Sequence, residues 1–66
     1  MKIKMLTKLK EEEVNLLEVG QLVYDSNGLR IVIDDIFRNT KLGFMIQDKN
    51  GNLYFADDLY KLICIG

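Results

Sequence analysis

From Val19 onward apolar residues fall in runs of four to nine, some alternating with polar positions and some continuous, with polar clusters between them. That is the spacing of short, half-buried strands. Gln21-Leu22-Val23-Tyr24 forms the first such run. Leu29 to Phe37 forms the second and is rich in β-branched residues, which suit a pleated surface. Its alternation serves Ile31 and Ile33 and would then carry Asp35 inward. A bulge near Asp34-Asp35 would return Ile36 to the core. Arg38-Asn39-Thr40-Lys41 reads as a polar loop, and Leu42, Phe44 and Ile46 then share one face of a further strand. Leu53 to Ala56 and Lys61 to Ile65 complete the set. Between them, Asp57 to Tyr60 is too short for a helix and reads as one turn of 3₁₀-helix opened by Asp57.

The reversals are marked by a repeated tetrapeptide. Asp25-Ser26-Asn27-Gly28 and Asp48-Lys49-Asn50-Gly51 each separate two apolar runs. Asp at the first position and Gly at the fourth, where φ must be positive, is hairpin chemistry. Residues 1–18 are less regular. Lys2-Ile3-Lys4-Met5 alternates like an edge strand whose lysines discourage stray pairing. Thr7 to Glu18 could instead be helical, with Thr7 as its cap. We favour a strand over residues 2–6 followed by a short helical or irregular turn, then the main β body over residues 19–66, all in one domain.

Four meandering strands, a one-turn helix and a final strand form an order that resembles an SH3-like barrel. The resemblance rests on Leu17-Glu18-Val19-Gly20-Gln21-Leu22-Val23-Tyr24, the two hairpins, and Asp57 to Leu62. It implies a mainly β fold, a small barrel of about five antiparallel strands. Such barrels serve many roles, so the likeness fixes no activity.

Size sharpens the picture. A chain of 66 residues buries only about 60% of its unfolded surface, and an apolar share of 48% is high for it. Small domains without staples often gain stability by association, so a homo-oligomer is expected. Cys64 is the single cysteine and there is no histidine. A disulfide within the chain and a Cys/His zinc site are both excluded, and a lone thiol fits the cytoplasm. No run approaches the roughly 20 apolar residues that cross a bilayer, so no membrane partner is expected. The lysine-interrupted start does not read as a signal peptide. Net charge is −1, yet unevenly placed: residues 1–10 carry four lysines and no acid, and residues 11–66 carry five basic and ten acidic side chains. The body is acidic, which disfavours broad affinity for phosphate backbones.

Candidate chemistry is sparse. Asp34-Asp35 and Asp57-Asp58 are paired carboxylates, but neighbours on a strand point to opposite faces. The Asp-x-Asn-Gly turns place Gly fourth, where a calcium loop needs it sixth. Ser26, Thr7 and Thr40 have no histidine to activate them, and Cys64 lies in an apolar run as a small hydrophobe. No catalytic residue, cofactor or metal is expected. The aromatics are more informative. Phe44 and one of Tyr54 and Phe55 belong in the core, and tyrosines with Arg38 form a contact patch, because Tyr and Arg are enriched in binding hot spots. Tyr24, Arg38, Tyr54 and Tyr60 are the expected partner-contact residues.

The reading is therefore a non-catalytic protein-interaction or regulatory module that binds a protein partner or itself. The alternative is a nucleic-acid-binding barrel of the KOW or Tudor-like sort, using the lysine-rich N-terminus. Composition adds one more likeness. A compact chain rich in Lys, Ile, Asn and Asp, without proline or histidine, is similar to small phage and prophage proteins of Gram-positive bacteria.

Overall fold

A computed structural model describes residues 2–65. The chain is mainly β and folds into two antiparallel sheets with one short α-helix and one 3₁₀ turn. The elements in order are β1 (Ile3–Lys8), α1 (Glu11–Asn15), β2 (Leu22–Tyr24), β3 (Arg30–Val32), β4 (Asp35–Thr40), β5 (Gly43–Gln47) and β6 (Leu53–Phe55), then the 3₁₀ turn Ala56–Asp58 and β7 (Tyr60–Ile65). One sheet has the order β1-β7-β2-β3 and the other β4-β5-β6. Neither sheet closes on itself. No helix among the described residues is long and apolar enough to cross a membrane.

Both tetrapeptides make the expected hairpins. Gly28 has φ +84° and Gly51 φ +86°, a conformation that costs glycine nothing and strains any residue with a Cβ. In the first turn the Gly28 N–H donates to the Asp25 carbonyl at 3.0 Å, and Asp25 Oδ1 accepts the N–H groups of Asn27 (2.8 Å) and Leu29 (2.9 Å). The second turn repeats this: Gly51 N–H to the Asp48 carbonyl at 3.1 Å, and Asn50 and Asn52 N–H groups to Asp48 Oδ1, both at 2.9 Å. The aspartate side chain thus satisfies the donors that the reversal leaves without ladder partners.

Three local expectations need correction. The single bulged strand over residues 29–37 is two strands in two sheets. Ile33 ends the first ladder, donating to Gln21 O at 3.0 Å and accepting from Gly20 N–H at 2.7 Å. Asp34 N–H already donates to Gln47 O of the second sheet at 2.8 Å. Ile33 and Ile36 both pack on the core, and three residues apart on one straight strand they would point oppositely. Changing sheets resolves that conflict. Second, Arg38 to Thr40 is strand, and the reversal is Lys41-Leu42, where Thr40 Oγ1 accepts the Leu42 N–H at 3.1 Å. Leu42 therefore sits 71% exposed, apart from Phe44 and Ile46. Third, the 3₁₀ turn begins at Ala56, so Asp57 lies within it and does not open it.

The N-terminal segment is a strand followed by a five-residue helix. Lys10, not Thr7, precedes the helix, and Glu13 Oε1 accepts the Lys10 N–H at 3.1 Å. Three glutamates in the first turn suit the positive end of the helix. The core gathers Val14 and Leu17 from this segment, Val23, Ile31 and Ile33 from the first sheet, Ile46 from the second, and Ala56 and Leu59 from the 3₁₀ region. Burying each of the valine, leucine and isoleucine side chains contributes about 1.5–3 kcal/mol. Leu9, Ile36, Phe44 and Tyr54 pack around it. Met45 is also buried, but on the other face of β5, with Phe37 and Phe55 as its cross-strand neighbours.

Candidate functional site

The outer face of the four-stranded sheet carries a row that no single segment of the sequence displays. Lys8 of β1 pairs with Tyr60 of β7, Tyr60 with Tyr24 of β2, and Tyr24 with Arg30 of β3. Directly opposed residues of antiparallel strands project to the same side. Val23 and Ile31 are buried, so the alternate positions Tyr24 and Arg30 face outward, and Tyr60 and Lys8 go with them. Two half-buried tyrosines are therefore flanked by two cations. Leu6 opposite Leu62, and Leu22 opposite Val32, extend the same face with apolar surface; Leu22 is 39% and Val32 38% exposed. Lys8 Nζ lies 4.0 Å from Asp58 Oδ1, an exposed contact.

Arg30 also borders a cavity of about 190 Å³, which Ile31, Val32, Asp48, Lys49 and Asn50 complete. Ligand clefts for small molecules run to about 300–1,000 Å³. The hollow is an extension of the surface row, not an enclosed pocket. It lies between the exposed edge of β3 and the second Asp-x-Asn-Gly turn.

Of the four contact residues expected from sequence, the structure brings Tyr24 and Tyr60 side by side. Arg38 and Tyr54 lie elsewhere and are engaged within the fold. The Arg38 guanidinium donates to the backbone carbonyls of Asn15 (3.3 Å) and Leu17 (3.2 Å) and stands 4.9 Å above the Phe44 ring. It ties the end of α1 to β4, where the strand pairing shifts register between Phe37 and Thr40. Tyr54 packs on the core and donates its hydroxyl to Asp48 Oδ2 at 3.1 Å. Burial, then the bond to Asp48, raises the Tyr54 phenol above its ordinary range. Burial alone would raise the Asp48 carboxyl. The opposing hydrogen bonds from Asn52, Tyr54 and Asn50 leave it below the ordinary value. Phe55 is the partly exposed member of the Tyr54-Phe55 pair.

The remaining candidate chemistry is dispersed. Among the described residues no group of three or more His, Cys, Asp or Glu side chains gathers as a metal site. Asp34 and Asp35 follow the change of sheet, and Asp57 and Asp58 sit in the 3₁₀ turn. Cys64 is exposed, with Lys4 as its cross-strand neighbour, so it does not act as a buried hydrophobe. Sequence reasoning missed Lys8 and Arg30. Strand parity places each outward, but only the strand order aligns them with the tyrosines. No protein-family model, curated protein or solved structure matches the chain.

Proposed function

We propose that this chain is a non-catalytic interaction module of the SH3-like kind, which receives an acidic segment of a partner protein along the row Lys8, Tyr60, Tyr24 and Arg30. The carrying observation is that row itself: two adjacent tyrosines between two cations, on a sheet face bordered by leucine and valine. Tyrosine supplies rigid, amphipathic contact area, and a flanking cation at each end selects against basic partners. The strand order, with a 3₁₀ turn before the last strand, supports the SH3-like assignment. The compositional likeness to small phage proteins adds a regulatory role, which the neighbouring genes test.

A nucleic-acid reading uses the same row, since bases stack on tyrosine and phosphates pair with lysine and arginine. The ten acids after residue 10, with Asp58 beside Lys8, weigh against it. One experiment separates the two. Random peptides are selected on the folded protein and on a Tyr24→Ser/Tyr60→Ser variant, while labelled oligo(dT) and oligo(U) are titrated at low salt. The proposal expects acidic peptides whose affinity falls about 30-fold in the double variant, the loss of about 2 kcal/mol that marks a hot spot. Oligonucleotide binding that depends on the tyrosines and weakens steeply with salt would install the second reading. Binding of neither class of ligand would remove both readings.

A further inference from the structure

Among the described residues β1 and β3 are the edges of one sheet and β4 and β6 the edges of the other. β3 and β6 have three residues each, and β4 is broken by the register shift between Phe37 and Thr40. β1 is different. It holds unbroken register over six pairs, from Ile3 opposite Ile65 to Lys8 opposite Tyr60. Leu9 fixes the phase of its hydrogen bonds: its N–H donates at 3.0 Å to the carbonyl of Leu59, the residue opposite it when that register is continued. Opposed antiparallel pairs alternate between those that exchange hydrogen bonds and those that do not. Thr7, Met5 and Ile3 therefore bond to β7. The N–H and C=O groups of Lys4, Leu6 and Lys8 point the other way, along the free edge. Such a row is a template for one more strand.

The same three residues supply the selectivity. Lys4, Leu6 and Lys8 share the outer face with Tyr60. Residues 2–8 hold Lys2, Lys4 and Lys8 and no acidic side chain. Among the described residues Lys4 makes no ion pair, and Lys8 has the exposed 4.0 Å contact with Asp58. On the other face of the strand Met5 is 47% exposed, with Ile63 as its cross-strand neighbour. In an added strand the side chain directly opposite each of these residues would lie on the same face. Unlike charges attract there and like charges repel.

We infer that the β1 edge receives an extended acidic segment of a partner protein as a fifth strand, antiparallel to β1, with carboxylates opposite Lys4 and Lys8 and apolar side chains opposite Leu6 and Met5. The inference rests on the acidic-partner reading above, with which it shares Lys8, and adds the segment's conformation and pattern. Read from the residue opposite Lys8, that pattern is acidic, any, apolar, apolar, acidic. Antiparallel addition continues the pairing of the sheet and is slightly more stable per residue than parallel. Main-chain hydrogen bonds give the affinity, and the alternate side chains choose the partner. A second copy of β1, centred on Leu6, would set Lys4 against Lys8, so charge selects against self-pairing at this edge.

The test titrates the capped peptide Ser-Glu-Thr-Val-Val-Glu-Ser into the full, isotope-labelled chain and follows its amides by nuclear magnetic resonance. A segment this short is expected to bind with Kd of ~10 µM to ~1 mM. At saturation, hydrogen exchange of the Lys4, Leu6 and Lys8 amides slows about 10-fold, and that of Met5 and Thr7, already bonded to β7, changes little. Methylating the backbone nitrogen of the first valine, which faces the Leu6 carbonyl, weakens binding about 10-fold. Methylating the second valine, whose N–H faces away, costs far less. Lys4→Glu also weakens binding about 10-fold, and a peptide with lysine as its second glutamate restores it. The peptide arms leave the protein unchanged and decide the matter if Lys4→Glu unfolds. A peptide that does not bind, that binds without protecting the three alternate amides, or that tolerates methylation at the first valine would overturn the inference. The Tyr24→Ser/Tyr60→Ser variant keeps this proposal apart from the previous one. If that variant loses the peptide and the first-valine methyl does not matter, the tyrosine row stands and the added strand falls. If it keeps the peptide and the methyl matters, the strand stands and the row falls. If both matter, one segment uses both through Lys8.

Discussion

Replacing Arg38 with methionine separates two roles for the same side chain. Sequence reasoning offers Arg38 as a partner contact, and the structure uses it to join α1 to β4. The guanidinium makes two charge-assisted hydrogen bonds to carbonyls, at 3.3 Å to Asn15 and 3.2 Å to Leu17. A hydrogen bond from a charged group is worth about 1.5–3 kcal/mol when well formed. Both bonds here are long, and the one to Asn15 is exposed, so together they contribute about 1–1.5 kcal/mol. The stack on Phe44 at 4.9 Å adds about 0.5–1 kcal/mol at an exposed position. Methionine keeps much of the aliphatic stem, so packing is largely preserved. The expected loss is about 2 kcal/mol, which lowers the melting midpoint of so small a domain by about 10 °C. Arg38→Lys, with a point charge that cannot fork to both carbonyls, falls about halfway. Urea unfolding followed by circular dichroism reads the change, provided the slope stays constant. A methionine variant within about 0.3 kcal/mol of wild type would refute the tie between helix and strand and return Arg38 to the surface as a binding residue.

Two further outcomes follow from the turns and the Lys61–Glu13 ion pair. Gly28→Val and Gly51→Val each destabilise by about 1–2 kcal/mol, because a β-branched residue resists positive φ. An added Cβ would meet Leu6 Cδ1 at 3.6 Å or Gln47 Nε2 at 3.8 Å, both ordinary contacts, so conformation and not crowding sets the cost. Asparagine, which tolerates that region, recovers most of it, and equal unfolding midpoints for the Val and Asn variants would contradict this. The Glu13 carboxyl is held below its ordinary value of 4.5, chiefly by the Lys61 ammonium and next by the Lys10 N–H. A depressed folded value stabilises above about pH 4.5, and that share is lost as pH falls through it. Glu13→Gln is therefore less stable than wild type at neutral pH, and the gap closes as pH falls below the depressed folded value. A gap that persists or widens in acid would reverse the sign.

The hairpins were readable because their cause is local. Asp25 and Asp48 bond only to groups within six residues, and Gly28 and Gly51 need only a backbone angle. The strand faces of β2 and β3 followed from alternation for the same reason. The split at Ile33 and Asp34 was not readable, because it depends on Gln47, which accepts the Asp34 N–H from another sheet. Arg38 to Thr40 looked like a loop because polar residues on an edge strand resemble a turn; its pairing with β5 decides the matter. The candidate row shows the same division. Tyr24 and Tyr60 were chosen for their residue type, but their adjacency depends on the last strand entering between the first two. Lys8 and Arg30 acquire meaning only from that insertion.

That insertion also bears on how the chain is made. Among the described residues β7 supplies the ladder partner of β1 and links it to β2, so the four-stranded sheet lacks its second member until residues 60–65 have left the ribosome. Contacts spanning nearly the whole length of a chain form late and slowly. A nascent polypeptide stalled before Tyr60 would hold a complete β4-β5-β6 meander and a β2–β3 hairpin, with its amino-terminal strand unmoored. Acquisition of the native state is thereby deferred until residues 60–65 emerge, and loss of those residues strikes the first strand as hard as the last.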